Sequence, residues 1–554
     1  MNKKVCSFPI LFALLALLIG ICAVVFPASA QAAPTSTGSI TVSGTVASSY
    51  DAYQIFSANV VDGDSDVKIA TDLAWASDAA RDAALPVLHS AGMPNSQTTA
   101  QEAAEWLNTD SHLTSALSAQ LARSLQSSDA VSVALNAGTT AELPCGYWLI
   151  VADDAIAQGE AGTAPIMALV GGSAVTVKPK AATPKVQKHV LEDSTAAWQK
   201  AADATVADDL YWRLSATVPA GLTAYDTYTV QFVDTMSAGL DPSKVAASMR
   251  VYVAAGADGG FGAVLTDKDG RAGTEPAKGW TDITAQCATK VAADGTFTVR
   301  TGDLIAALGG ADAFTAGARV VAVYNAPLNS ACNHGIAKGN PNEVYLRYPR
   351  SPFADQSGDA GFTRTPSDDA CAYTWDLALT KRGSDGDKPL AGAVLSIADD
   401  RGRTLAADGT WDAEGKATVT TGEDGRVTVS GVDSGKLEVR ELKAPKGYTA
   451  FEGTRSVTVK AEGLDVDQVA AAKPKLTITA ESPLRADSAD GSTGSLEASL
   501  INTPTGTPPS ITTGGFMPST GDMAMYAAAA AAVAGAALIV VALLVKRGGG
   551  SHKE

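Results

Sequence analysis

The chain has 554 residues, 18% of them charged, and a formal net charge of −17. That length suits about three or four domains, and the acid excess excludes nucleic acid or another polyanion as the main partner. Its six cysteines and five histidines form no CxxC or Cys/His cluster, so neither a metal nor any other cofactor is expected.

Lys3 and Lys4 precede the apolar stretch Ile10–Phe26, and Ala28-Ser29-Ala30 offers the small residues that signal peptidase takes. Residues 1–30 are therefore expected to leave as a signal peptide, with Cys6 and Cys22. Cys145, Cys287, Cys332 and Cys371 remain, and outside the cytosol they can pair in three ways among which the sequence does not choose.

Residues 31–179 read as an α+β unit. Ser39–Val46 alternates polar and apolar residues, and Tyr50–Val61, Gly146–Val151 and Ala174–Val177 are rich in strand formers. Between them Ser77–Gln126 has the Ala, Leu, Gln and Glu content of helices, with Trp106 and Leu107 expected to face inward. Asp62, Asp64 and Asp66 imitate a calcium loop. No Gly follows at the sharp turn, however, and Leu73 stands where the closing Glu belongs, so a solvated turn is expected.

Pro179–Pro184 suits a linker, after which residues 180–355 and 356–503 read as two all-β units with frequent Gly, Asp and Pro turns. Only Asp303–Ala307 hints at a helical turn. Residues 504–516 form a Pro/Thr/Gly stalk. Met517-Pro518-Ser519-Thr520-Gly521 follows, then an apolar run over 523–545 that is about long enough to cross a bilayer. Lys546 and Arg547 would hold the tail, 546–554, in the cytoplasm. The expected class is mainly β, with tandem Ig-like sandwiches after an α+β N-terminal domain, a signal peptide and a C-terminal transmembrane helix.

The chemically telling feature is polar residues at strand positions whose period-2 neighbours are apolar. Trp375, Leu377, Leu379 and Lys381 share a face, as do Leu437, Val439 and Glu441, and Leu496, Ala498, Leu500 and Asn502. The preceding unit repeats the set with Val186, Lys188 and Val190, then Val230, Phe232 and Asp234, then Asn342, Val344 and Leu346. The plain alternative is a buried ion pair beside an amide, or strand ends emerging into solvent. Yet even a well-made buried pair roughly breaks even, and a covalent bond removes the problem. Desolvation favours a neutral amine and a protonated carboxyl. The amine of Lys381 can then attack the carbonyl of Asn502 while Glu441 shuttles protons, releasing ammonia.

These residues resemble a known family. Leu379-Thr380-Lys381, Lys388-Pro389-Leu390-Ala391-Gly392-Ala393, the string Glu441-Leu442-Lys443-Ala444-Pro445-Lys446-Gly447-Tyr448 and Leu500-Ile501-Asn502-Thr503 are similar to the CnaB-type domain of Gram-positive surface proteins, the third being its E-box. That resemblance implies a Lys381–Asn502 isopeptide bond with Glu441 as its acid/base. Pro184–Lys188, Val233–Leu240 and Gly339–Leu346 resemble the second domain of fimbrial shaft proteins, implying Lys188, Asp234 and Asn342, with Asn340 a rival of the same parity. Tyr50–Phe56 and the Gly-Tyr-Trp-Leu strand resemble the first domain of those proteins.

Residues 517–547 resemble the LPxTG cell-wall sorting signal, with Met517 for Leu, and imply sortase cleavage between Thr520 and Gly521. Val175-Thr176-Val177-Lys178-Pro179-Lys180 resembles the VxVYPK pilin motif, with Lys178 for Tyr, and implies Lys180 as the acceptor; Lys178 and Lys185 compete. The family further implies pilus-specific and housekeeping sortases, copies of the chain joined head to tail, peptidoglycan and host surface ligands as partners, and a cell-surface pilus as the location. The expected function is a structural shaft subunit and no enzyme beyond its own cross-linking. The alternative is a monomeric wall-anchored adhesin. A secreted hydrolase would need a nucleophile with its base, or a carboxylate pair, and no such constellation stands out.

Overall fold

A computed structural model describes residues 36–506 except 45–46, 65–66, 110–111, 154–158, 161, 180–182, 220–221, 257–278 and 353. The expected signal peptide, Lys180, the sorting motif and the C-terminal apolar run lie outside the described residues. Among those described, no helix is long and apolar enough to cross a membrane.

In the first unit the 14-residue strand Ser49–Asp62 is apolar on both faces because both are covered. It pairs antiparallel with Lys68–Trp75, Gly146–Ala152 and Ser132–Asn136, and Ile166–Val170 extends the sheet. On one face Tyr50, Ala52, Trp148 and Ile150 meet a small sheet in which Thr37–Val42 lies between Thr140–Pro144 and Val175–Val177. On the other, Tyr53, Ile55, Phe56 and Leu149 meet three helices, Asp78–Ser90, Ala100–Asn108 and Ser115–Gln126.

Ser77, Thr99 and Thr114 start these helices by accepting from free backbone N–H groups, and Thr99 with Glu102 closes a capping box. Leu107 is buried as expected, whereas Trp106 is only half-buried and stacks on His112 at 4.2 Å. The buried stripe runs Ala100, Ala103, Leu107, and Trp106 falls beside it.

The middle unit is a sandwich. One sheet runs in the order Ala197–Gln199, Val186–Glu192, Tyr211–Thr217, Arg319–Asn325, Arg250–Ala254, Trp280–Asp282. The facing sheet runs Ala201–Asp203, Asp368–Tyr373, Asn340–Pro349, Gln231–Met236, Thr296–Arg300, Ala288–Val291. Trp212, Leu214, Phe232, Phe297, Val344 and Leu346 fill the space between them. The helical hint at Asp303 is a single turn, Leu304–Ala307, capped by Asp303. The division at 355/356 falls too early: Asp368–Tyr373 pairs with Asn340–Pro349, and Ala370 and Ala372 join the middle core. The charged pair Asp368 and Asp369 hid this strand from a composition-based reading.

In the last unit the first strand, Trp375–Gly383, and the last, Ser495–Pro504, are parallel neighbours, with Gly383 opposite Asn502. Arg426–Val432 and Leu484–Asp490 flank them. The facing sheet centres on Val394–Ala398, Gly435–Lys443, Thr454–Glu462 and Lys475–Ala480.

The units are fastened to each other. Tyr348 Oη donates to Glu160 O at 2.6 Å, and Gly162 N to Arg350 O at 2.6 Å, across the first junction. A Cβ at Gly162 would stand 2.3 Å from Arg350 O, so that approach requires glycine. At the second junction Asp203 Oδ2 accepts from Trp375 Nε1 at 2.7 Å and from Ser434 N and Oγ at 2.9 and 2.6 Å. Asp208 accepts from Arg401 and Arg403.

Glu192, Asp193 and Asp433 crowd Asp203 there. Burial, then the charge of Asp203, pushes Glu192 up to about 7, and burial with the neighbouring carboxyls pushes Asp433 well above its usual range. A carboxyl raised on folding contributes stability below its unfolded value, and that contribution is lost as pH rises through the folded value. The thermal transition that parts the middle and last units should therefore be more stable at about pH 5 than at about pH 8, by roughly 1–3 kcal/mol. Glu192→Gln should flatten that dependence; an unchanged slope would remove Glu192 as its cause.

Two buried lysine, carboxyl and asparagine sets

All six parity-selected polar residues lie on buried faces. In the middle unit Lys188, Asp234 and Asn342 are each 0% exposed. Lys188 projects from Val186–Glu192 in one sheet; Asp234 and Asn342 project from adjacent antiparallel strands of the other, with Met236 opposite Asn342. Lys188 Nζ bonds Asp234 Oδ2, against the walls of Trp212 and Tyr324. Burial brings the Lys188 amine down to about 8, offset in part by Asp234, and burial raises the Asp234 carboxyl.

Tyr324, which the strand patterns did not single out, sits at the centre. Its Oη accepts from Lys188 Nζ at 2.9 Å and from Asn342 Nδ2 at 2.9 Å, and donates to Asp234 Oδ2 at 3.1 Å. Its ring packs edge-on to Phe297 at 4.7 Å. The strand Arg319–Asn325 is buried on both faces, so period-2 contrast is weak there. The signal available was a hydroxyl in step with Val320 and Ala322.

In the last unit Lys381 comes from the first strand, Asn502 from the last, and Glu441 from the facing sheet. Lys381 Nζ lies 3.5 Å from Glu441 Oε1 and donates to Leu500 O at 3.3 Å. Asn502 Nδ2 donates to both Glu441 oxygens, at 2.9 and 3.1 Å, and Phe451 N fixes the carboxyl by donating to Oε2 at 3.1 Å. Burial lowers the Lys381 amine to about 8.

Asn340 is equally buried, but both ends of its side chain are engaged. Oδ1 accepts from Asn333 N, and Nδ2 donates to Asn333 O and Ala372 O. Asn342 Oδ1 and Asn502 Oδ1 have no hydrogen-bond donor. A buried orphan carbonyl is costly. Lys200 is a further buried lysine, paired with Asp368; no asparagine hydrogen-bonds to it among the described residues. Lys178 and Lys185 are exposed.

The four cysteines are free thiols, and burial pushes Cys287, Cys332 and Cys371 up to about 11, which leaves them poor nucleophiles. Among the described residues no group of His, Cys, Asp and Glu could hold a metal ion.

Each set thus presents an amine lowered by burial, a carboxyl beside it, and a carboxamide bonded directly or through Tyr324 to that carboxyl. The bonds available to such a set are a buried ion pair or an amide formed with loss of ammonia.

Residues 376–473 match the family model of the SpaA prealbumin-like fold domain. Over 143 residues the chain is 30% identical to the trypsin-resistant surface T6 protein of Streptococcus pyogenes serotype M6, a stretch covering 24% of each protein. The chain thus spans about a quarter of that relative. Among solved structures, the T6 backbone pilin of Streptococcus pyogenes aligns with 86% of this chain and 100% of its own, at 17% identity and TM-score 0.47. The full-length major pilin SpaD of Corynebacterium diphtheriae aligns with 86% and 100%, at 15% identity and TM-score 0.42.

Proposed function

We propose that this chain is the shaft subunit of a sortase-assembled pilus, with each of its two sandwich units closed by an internal isopeptide bond. The observation that carries this reading is the recurrence of the same three groups, buried in two separate cores. In each, neutral lysine Nζ attacks the asparagine Cγ. The Nζ–Cγ bond forms, the Cγ–Nδ2 bond breaks, and one proton passes from Nζ to Nδ2, which leaves as ammonia. The carboxyl, Asp234 or Glu441, moves that proton. With the amines near 8, roughly a tenth of each is neutral at pH 7. Folding supplies the proximity that makes so slow an exchange feasible. Full engagement of Asn340 favours Asn342 as the partner of Lys188.

At the ends of the chain, sortase would cut Thr520–Gly521 and pass the Thr520 carbonyl to Lys180 of the next copy. A head-to-tail contact of this kind does not close, and so it builds a filament. The last copy would pass to peptidoglycan through a housekeeping sortase. Similarity to a surface protein over 143 residues agrees with this placement.

A denaturing gel of cell-wall extracts tests the assembly. A ladder of very large, boil-resistant species is expected, and Lys180→Ala should collapse it to one band. A ladder surviving that change would move the acceptor to Lys178 or Lys185, and a single band from the unaltered chain would mark a monomeric adhesin.

A further inference from the structure

We propose that Tyr324 is a catalytic proton relay for the Lys188–Asn342 bond, carrying the proton that Asp234 is too short to deliver. This rests on the isopeptide reading above and deepens it. The two sites differ in how the carboxyl reaches the carboxamide. In the last unit Glu441 touches both ends of the reaction, Lys381 Nζ at 3.5 Å and the leaving Asn502 Nδ2 at 2.9 Å. In the middle unit the carboxyl is an aspartate, one methylene shorter, and it holds Lys188 Nζ. Asn342 Nδ2 instead donates to Tyr324 Oη, whose own proton points to Asp234 Oδ2.

Asp234 and Tyr324 together therefore span what Glu441 spans alone. As the Nζ–Cγ bond forms, Asp234 Oδ2 takes a proton from Nζ. Tyr324 gives its hydroxyl proton to Nδ2 and takes the Asp234 proton in return. The Cγ–Nδ2 bond breaks, ammonia leaves, and both side chains end as they began. Phe297 and the closed strand packing hold the ring, so the hydroxyl needs only to rotate.

The test is the intact mass of the purified ectodomain followed over time, with peptide mapping to assign the bonds. Unaltered protein should lack two ammonias as isolated. Tyr324→Phe should lack one, its Lys381–Asn502 bond intact, and should lose the second at least about 10²-fold more slowly. Asp234→Glu in the Tyr324→Phe background should restore prompt loss of both, because the longer carboxyl reaches Nδ2 directly.

Prompt loss of two ammonias by Tyr324→Phe alone would overturn the relay. So would a double variant whose middle unit resists protease, and is therefore folded, yet stays unjoined. If Tyr324→Phe does not fold, the double variant decides: folded and joined supports the relay, unfolded assigns Tyr324 to packing. Failure of the underlying reading looks different, since unaltered protein would then retain the ammonia of Asn342.

Discussion

Glu441→Ala is expected to leave Lys381 and Asn502 unjoined, adding one ammonia to the ectodomain mass, while Asp234→Ala adds one independently and the double variant adds two. The sites sit in different cores and share no residue, so their effects should be additive. Stability should fall with the bond. A cross-link from Lys381 to Asn502 encloses about 120 residues, which on chain-entropy grounds is worth about 5 kcal/mol. For a unit of this size that corresponds to about 15 °C in the unfolding midpoint.

Truncating a buried carboxyl also strands a lysine, so the midpoint alone would not separate bond from packing. Lys381→Ala supplies the separation: it removes the amine, keeps Glu441 and should likewise retain the ammonia of Asn502. Unaltered ectodomain carrying the full mass of its sequence would end the covalent reading.

How much of this was legible in the sequence depends on contrast along each strand. Lys188, Asp234, Lys381 and Asn502 stand out because their alternate neighbours are apolar and the opposite face is more polar, so parity assigns a side unambiguously. Tyr324 did not, because Val321 and Val323 on its other face are buried too. Asn340 and Asn342 share parity, and what distinguishes them is the loop that returns through Asn333 onto the first and the Tyr324 hydroxyl on the second. The loop contact spans seven residues without any periodic signature. The strand Asp368–Tyr373 was assigned to the wrong unit because the chain passes from one sandwich to the next without a linker, through Thr374 alone.

Where the proposed cross-links lie predicts how the two sandwich units respond when an ectodomain is pulled between Lys185 and its C-terminal end, which leaves the unlinked first unit out of the load. With Lys381 joined to Asn502 as proposed, force entering the last unit at Trp375 would run along the first strand to Lys381, cross to Asn502 and leave at the stalk, with nearly all of the fold outside the loaded path. That unit should release almost no length. Lys381→Ala should let it give up roughly 400 Å, the span of about 120 extended residues. The middle unit is protected less completely. Its proposed cross-link would end at Asn342, and the strands Phe362–Arg364 and Asp368–Tyr373 lie beyond that residue, still in the path. Peeling those strands should release roughly 100 Å from about 30 residues even with the bond intact. Lys188→Ala should add roughly 500 Å more. A short event that vanishes in neither lysine variant, together with one long event gained in each, is the expected record. Long events from the unaltered ectodomain would mean that force reaches the folded interiors and that no bond shields them.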